Sequence, residues 1–162
     1  MQTAPLQLSR YFVAELSVSA NRQHDPKKPI TLTADNLVVT PDFQALKDDP
    51  RQWQVTLRIQ QQGGPVTNPP YFFTVELVGL FSVSASYPDD KVEWMVRTNA
   101  SSVLYSTARE VLRGAMSQGP FCPLLLPTVS FYTPETKKLL DAAADKTAKP
   151  KSLAEGETPD TP

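Results

Sequence analysis

The chain has 162 residues, with 16 Lys and Arg against 17 Asp and Glu and a net charge of −1. That length suits one domain with a core of its own, and the near balance of charge gives no electrostatic drive toward nucleic acid or an anionic membrane. A single cysteine, Cys122, excludes an internal disulfide and fits a reducing compartment.

The opening stretch MQTAPLQLSRYFVAEL has no basic segment followed by an apolar one, so no export signal is expected. No apolar run approaches the roughly 20 residues of a membrane helix. A cytoplasmic protein with no stable membrane insertion is the expectation.

The elements then follow in order. Over 6–18, Leu6, Leu8, Phe12, Ala14, Leu16 and Val18 share one parity, the pattern of a half-buried strand; Arg10 breaks its apolar face. Residues 21–29 form a polar loop. A second, weaker strand is predicted over 30–40, interrupted at Asp35-Asn36. Residues 41–51 read as a connection with a short helical turn around 43–46. The cleanest strand is 52–60, where Trp53, Val55, Leu57 and Ile59 alternate with polar residues. Gly63-Gly64-Pro65 begins a turn. In the fourth strand, 71–84, Tyr71, Phe73, Val75, Leu77 and Phe81 share one face, and Phe72, Val78 and Leu80 make the other partly apolar. That second apolar face signals either a partner or an irregular strand.

The period changes after Tyr87-Pro88-Asp89-Asp90. Asp90 and Glu93 have capping-box spacing, and apolar residues recur at three- and four-residue steps from Val92 to Ala115. This predicts a helix of about 25 residues that stops before Gly119, and that either crosses the whole sheet or packs in a subunit interface. Segment 119–132, GPFCPLLLPTVSFY, is an apolar loop punctuated by proline. Loops avoid such composition, so it either covers a core, lines a groove for apolar peptide, or does both. Thr133 caps a shorter helix opened by Pro134. From Asp145 the sequence loses apolar periodicity, which predicts a disordered tail over 145–162 behind a domain of 1–144.

No catalytic or metal-binding constellation emerges. His24 is the only histidine and lies in a loop, far in sequence from Cys122. No base is placed for the thiol, and one His with one Cys cannot make a usual metal set. Asp48-Asp49 and Asp89-Asp90 are turn residues. There is no P-loop, GxGxxG or CxxC pair, so no enzyme and no cofactor is expected.

YSTAREVLRGAMSQGPFCPLLLPTVSF, residues 105–131, places Ala108-Arg109-Glu110 in a helix, Gly119-Pro120-Phe121 after it, and Leu126-Pro127 before Val129 and Phe131. In this it resembles the C-terminal half of the SecB family of export chaperones. LQLSRYFVAELSVSA looks like the family's first strand and VELVGLFSV like the end of its fourth, so the resemblance spans nearly all of 1–144. It implies an α+β fold: a four-stranded antiparallel sheet with a long and a shorter helix on one face, assembling as a dimer of dimers. It implies an ATP-independent holdase for non-native polypeptides such as preproteins, kept export-competent for SecA and the Sec translocase. Carried over by position, Phe121, Leu124, Leu125 and Leu126 would line the peptide groove, with Tyr11, Phe12 and Val38 contributing, and Glu15 and Glu76 would meet SecA.

The chain also departs from the family pattern. Export-type members are strongly acidic and this chain is not. Ser19 and Thr74 stand where acids are expected, and Ser130 replaces the asparagine of the Pro-Val-Asn-Phe step. A SecB-like chaperone or interaction module dedicated to a specific client, such as an antitoxin, without SecA coupling, is therefore the alternative to that export homotetramer.

Overall fold

A computed structural model describes residues 3–62 and 68–147. Its strands β1 (Leu6–Ala20), β2 (Leu37–Leu46), β3 (Asp49–Gln61) and β4 (Tyr71–Val83) form one antiparallel sheet in the order β1-β4-β3-β2. Then come α1 (Val92–Met95), a π-helical turn (Val96–Ala100) and α2 (Ser101–Met116), continuous with one another, and finally α3 (Pro134–Thr147). The expected α+β class and four-stranded sheet are present. The Gly63-Gly64-Pro65 turn lies outside the described residues, and so does the part of the expected tail beyond Thr147; α3 itself runs three residues past the expected boundary at 144.

The core follows from two periods that meet. On β3 and β4 the odd-numbered side chains Val55, Leu57, Ile59, Tyr71, Phe73, Val75, Leu77 and Phe81 are all buried. On α2, Leu104, Ala108, Leu112 and Met116 recur every fourth residue and are fully buried against them. Period two meets period 3.6, and each large apolar side chain removed from water contributes about 1.5–3 kcal/mol. α3 does not lie on the sheet beside α2, as the resemblance implied. Its main contacts are with α1 and the 3-10 turn at Asp89–Lys91.

Three local expectations are corrected. First, β2 begins at Leu37 rather than Ile30. Asn36 Oδ1 accepts from both the N–H and the hydroxyl of Thr33, which closes a 3-10 turn at Ala34–Asn36; such local side-chain bonds compete with a sheet ladder. β2 then runs through residues 43–46, read above as a helical turn. It reaches β3 through a tight turn at Lys47-Asp48, with Leu46 paired to Asp49. Pro41 is tolerated because β2 is an edge strand.

Second, the parity of β1 flips twice. Register shifts between Leu8 and Arg10 and between Val13 and Glu15 bring Tyr11 opposite Gly79 and Val13 opposite Leu77, on the helix side. Arg10 and Phe12 pair with Leu80 and Val78 on the outer face. Arg10 therefore does not interrupt the apolar face. Third, no side-chain cap bond forms at Pro88 or Lys91. The helix entry is braced instead by Arg51, which donates to the Ser84 and Tyr87 carbonyls and to Asp89. Thr133 does cap α3: Thr136 N–H donates to Thr133 Oγ1 at 3.3 Å and Thr133 N–H donates to Thr136 Oγ1 at 2.8 Å.

The helix packs closely on the sheet at Gly79. A Cβ there would sit 2.7 Å from Phe81 Cε2 and 2.9 Å from Leu104 Cδ2, whereas one at Gly114 meets nothing within 4 Å. Gly79→Ala should therefore destabilise by about 1–3 kcal/mol through overpacking, and Gly114→Ala should stabilise by about 0.5–1 kcal/mol. Urea unfolding of the two variants checks the contrast.

Candidate functional site

Residues 117–133 pass from the end of α2 to the cap of α3 without regular structure. Two tyrosines from the core hold this crossover loop. Tyr71, at the start of β4, donates its hydroxyl to the Phe121 carbonyl at 2.6 Å and accepts the Phe121 N–H at 2.8 Å. A Cβ at Gly119 would meet the same hydroxyl at 2.6 Å, which is why the helix stop carries no side chain. Tyr105 on α2 donates to the Pro127 carbonyl at 2.7 Å, and its ring meets Phe131 edge-on at 6.0 Å. Burial pushes the Tyr105 phenol pKa up, against a weaker pull from Arg109, so the hydroxyl stays a proton donor at neutral pH.

The loop's leucines alternate. Leu124 and Leu126 turn into the core at 8% and 2% exposure, and Leu125 points out at 71%. A cleft of about 690 Å³ opens where the loop meets α3. Its apolar surfaces are Pro41 and Phe43 of β2, Phe131, and Leu139 of α3. Glu93, Arg97, Glu135 and Lys138 also line it, giving a rim with equal numbers of each charge. The Arg97 guanidinium lies 4.9 Å over the Phe43 ring and bonds Glu93 at 2.8 Å. At the other end of the loop a cleft of about 370 Å³ is lined by His24, Pro26, Lys28, Ile30, Pro70, Pro120, Phe121 and Cys122. There Phe121 packs edge-on to His24 at 4.8 Å. This smaller cleft brings His24 and Cys122 to one lining although they lie far apart in sequence, with His24 Nδ1 3.1 Å from the Asn68 carbonyl; both clefts can hold apolar side chains by contact.

The opposite face of the sheet carries charge. Arg58 on β3 donates to Glu15 on β1 and to Glu76 on β4, the latter at 3.0 Å. The bond to Glu15, then that to Glu76, raises the guanidinium pKa. Glu15 and Glu76 are direct cross-strand neighbours, a like-charge pair that would repel without the arginine between them.

The residues expected in one groove are distributed over several surfaces. Leu124 and Leu126 belong to the core, Leu125 to the loop surface, and Phe121 to the His24 cleft. Tyr11 lies on the helix side of β1 and is 44% exposed. Phe12 and Val38 lie on the outer face, opposite Val78 and Gln60. The larger cleft uses Pro41, Phe43, Arg97 and Leu139, which the sequence reading did not single out. The alternation of Leu37, Val39, Pro41 and Phe43 contained the signal, hidden by starting the strand too early.

Among the described residues no helix is long and apolar enough to cross a membrane. No curated protein matches the sequence. Among solved structures, the Mycobacterium tuberculosis SecB-like chaperone Rv1957, in complex with a ChAD peptide from the Rv1956 HigA1 antitoxin, superposes with a TM-score of 0.57 at 16% identity. The match covers 77% of this chain and 91% of that one, a likeness of fold. A protein of unknown function from Streptococcus agalactiae matches at 11% identity and a TM-score of 0.43, over 76% of this chain and 97% of that one, too loosely to carry an argument. The family model for SecB, preprotein translocase subunit SecB, matches residues 1–136, and the chain belongs to the SecB family.

Proposed function

We propose that this chain is a cytoplasmic, non-catalytic, ATP-independent holdase that binds extended segments of non-native polypeptides along its crossover loop. The observation that carries the reading is the cleft between Phe43, Phe131 and Leu139. Its apolar surface and charge-balanced rim suit side chains of many sequences rather than one ligand. Membership of a chaperone family supports the same reading.

The working assembly in this proposal is a homotetramer, a dimer of dimers. β1 is an edge strand, and Tyr11, Val13 and Leu16 on its helix side are each more than 40% exposed, with Val103 of α2 at 39%. A long apolar edge is an aggregation hazard unless something covers it, and a second copy does so by pairing β1 with β1. Val13→Asp should yield smaller species in analytical ultracentrifugation; an unchanged tetramer would remove β1 from the interface.

Two delivery routes follow from the family. In one, the chain hands preproteins to SecA through Glu15 and Glu76. In the other, it guards a dedicated client, as the antitoxin-peptide complex of the Mycobacterium tuberculosis relative suggests. The Arg58 bridge favours the second, because it engages both acids and halves the negative charge that a basic docking partner would meet. Calorimetry with purified SecA should give no measurable heat for the wild type. Micromolar binding by the wild type would restore the export route.

Client capture itself is tested at the loop and cleft. Leu125→Asp and Phe43→Ser should each weaken binding of an unfolded polypeptide about tenfold, as expected for roughly 1.5 kcal/mol of lost apolar contact, with the oligomer intact. Normal retardation of client refolding by both variants would refute the assignment.

A further inference from the structure

Strand β1 is symmetric about Phe12. On the helix side Tyr11 and Val13 stand next to it, then Leu8 and Leu16, then Leu6 and Val18, all apolar. On the outer side its neighbours are Arg10 and Glu15, opposite Leu80 and Glu76 on β4, each two positions from the Val78 that faces Phe12. The two bulges preserve this symmetry. Each adds one residue, Ser9 on one side and Ala14 on the other, so Leu8 and Leu16 both lie four residues from Phe12 and three β4 positions from Val78.

The strand is an open edge, and its Tyr11, Phe12, Val13 and Leu16 are 41–47% exposed. Its charges are only partly matched. Arg10 is exposed and has no acidic partner among the described residues. Glu15 uses Oε2 for Arg58, and the cluster of Glu15, Glu76 and Arg58 keeps one net negative charge. One strand thus carries a free cation and an incompletely neutralised acid at equal distances on either side of an exposed phenylalanine.

We propose that two copies pair along β1 in a single register, with the two-fold axis at Phe12, in which Arg10 of each copy meets the partner's Glu15. The inference rests on the β1–β1 pairing of the homotetramer and names what selects its register. A two-fold interface is self-complementary, so every contact occurs twice. In this register Phe12 meets its own counterpart, Tyr11 meets Val13 and Leu8 meets Leu16, while the bulged steps 9–10 and 14–15 face each other with equal numbers of residues. Opposed residues of paired strands share a face, so the axis must fall at a residue position. At Arg10 or Glu15 it would set like charges against each other. At Tyr11 or Val13 it would set both charges against uncharged residues. With the partner's Arg10 added, the cluster of Glu15, Glu76 and Arg58 holds two charges of each sign. The outer face of the assembly then loses the residual negative charge that a basic partner would meet.

Cysteine cross-linking reads the register. In a Cys122→Ser background, Phe12→Cys should give a disulfide-linked dimer on oxidation. Residues facing each other on antiparallel strands have Cα atoms about 4.5–5.5 Å apart, within the span of a disulfide. Leu16→Cys should stay unlinked, because its counterpart lies at the far end of the paired strands. Charge reversal reads the ion pairs by analytical ultracentrifugation. Arg10→Glu and Glu15→Arg should each weaken self-association by about tenfold, since each turns two attractive contacts into repulsive ones. Mixing the two variants should restore association, because their heterodimer regains both pairs. Circular dichroism matching the wild type separates a lost contact from a lost fold. If Leu16→Cys links and Phe12→Cys does not, or if mixing restores nothing, the register is overturned and the tetramer reading stands. If the wild type is a monomer, both fall.

Discussion

One α-helix has to cover four strands, and it is too narrow to do so. With side chains a helix is about 10–12 Å across. Four strands spaced about 4.8 Å apart place their outer members roughly 14 Å from each other, with further side-chain width beyond. α2 therefore centres on β4, reaches β3 and β1 about equally, and leaves the edges of the sheet incompletely covered. Gly79 marks where that cover is close, since its missing Cβ lets Leu104 and Phe81 fill the space. The burial of the odd-numbered β4 residues under this helix is the constraint from which the other surfaces follow.

The two flanks are treated differently. On the β2 side the chain supplies its own cover, the crossover loop, and that is why a loop carries Leu124, Leu126, Val129 and Phe131 into the core cluster or against it. A segment without a ladder must still satisfy its main chain where it is buried, and the hydroxyls of Tyr71 and Tyr105 do this at Phe121 and Pro127. On the β1 side none of the described residues completes the cover, so Tyr11, Val13 and Leu16 stay half exposed on an edge strand. One geometric shortfall thus produces a loop cover on one edge and a half-exposed apolar strand on the other.

Elements whose pattern runs unbroken were legible in the sequence. The alternation in β3 and β4 and the three- and four-residue steps of 92–116 give the core almost residue by residue, because burial selects directly for apolar side chains. Legibility failed where one residue shifts the phase. The bulges in β1 reverse the parity of Arg10 through Val13, and a strict two-residue period cannot register that. The Thr33–Asn36 turn moved the start of β2 by a side-chain bond that no hydropathy pattern reports. The cleft suffered most, since it depends on Phe43 being in a strand and on α3 leaning toward α1. The loop leucines were recognised as apolar and out of place, but which of them faces the core is set by the alternation of an irregular segment.

On the outer face one cation stands between two acids. Glu15 and Glu76 occupy neighbouring positions on β1 and β4, and alone they would form a small anionic patch. Arg58 comes from β3, where Gln54, Thr56 and Gln60 provide an otherwise uncharged polar stripe. One planar guanidinium holding two carboxylates halves their negative charge and forms a bridge across three strands. At this exposure such a bridge adds little to stability; its larger effect is on which partners the face attracts, because recognition of a basic partner depends on uncompensated charge. The helix side of the sheet presents apolar clefts and an irregular loop. The outer side presents a charged bridge, so the two faces of one sheet offer different chemistry to whatever binds.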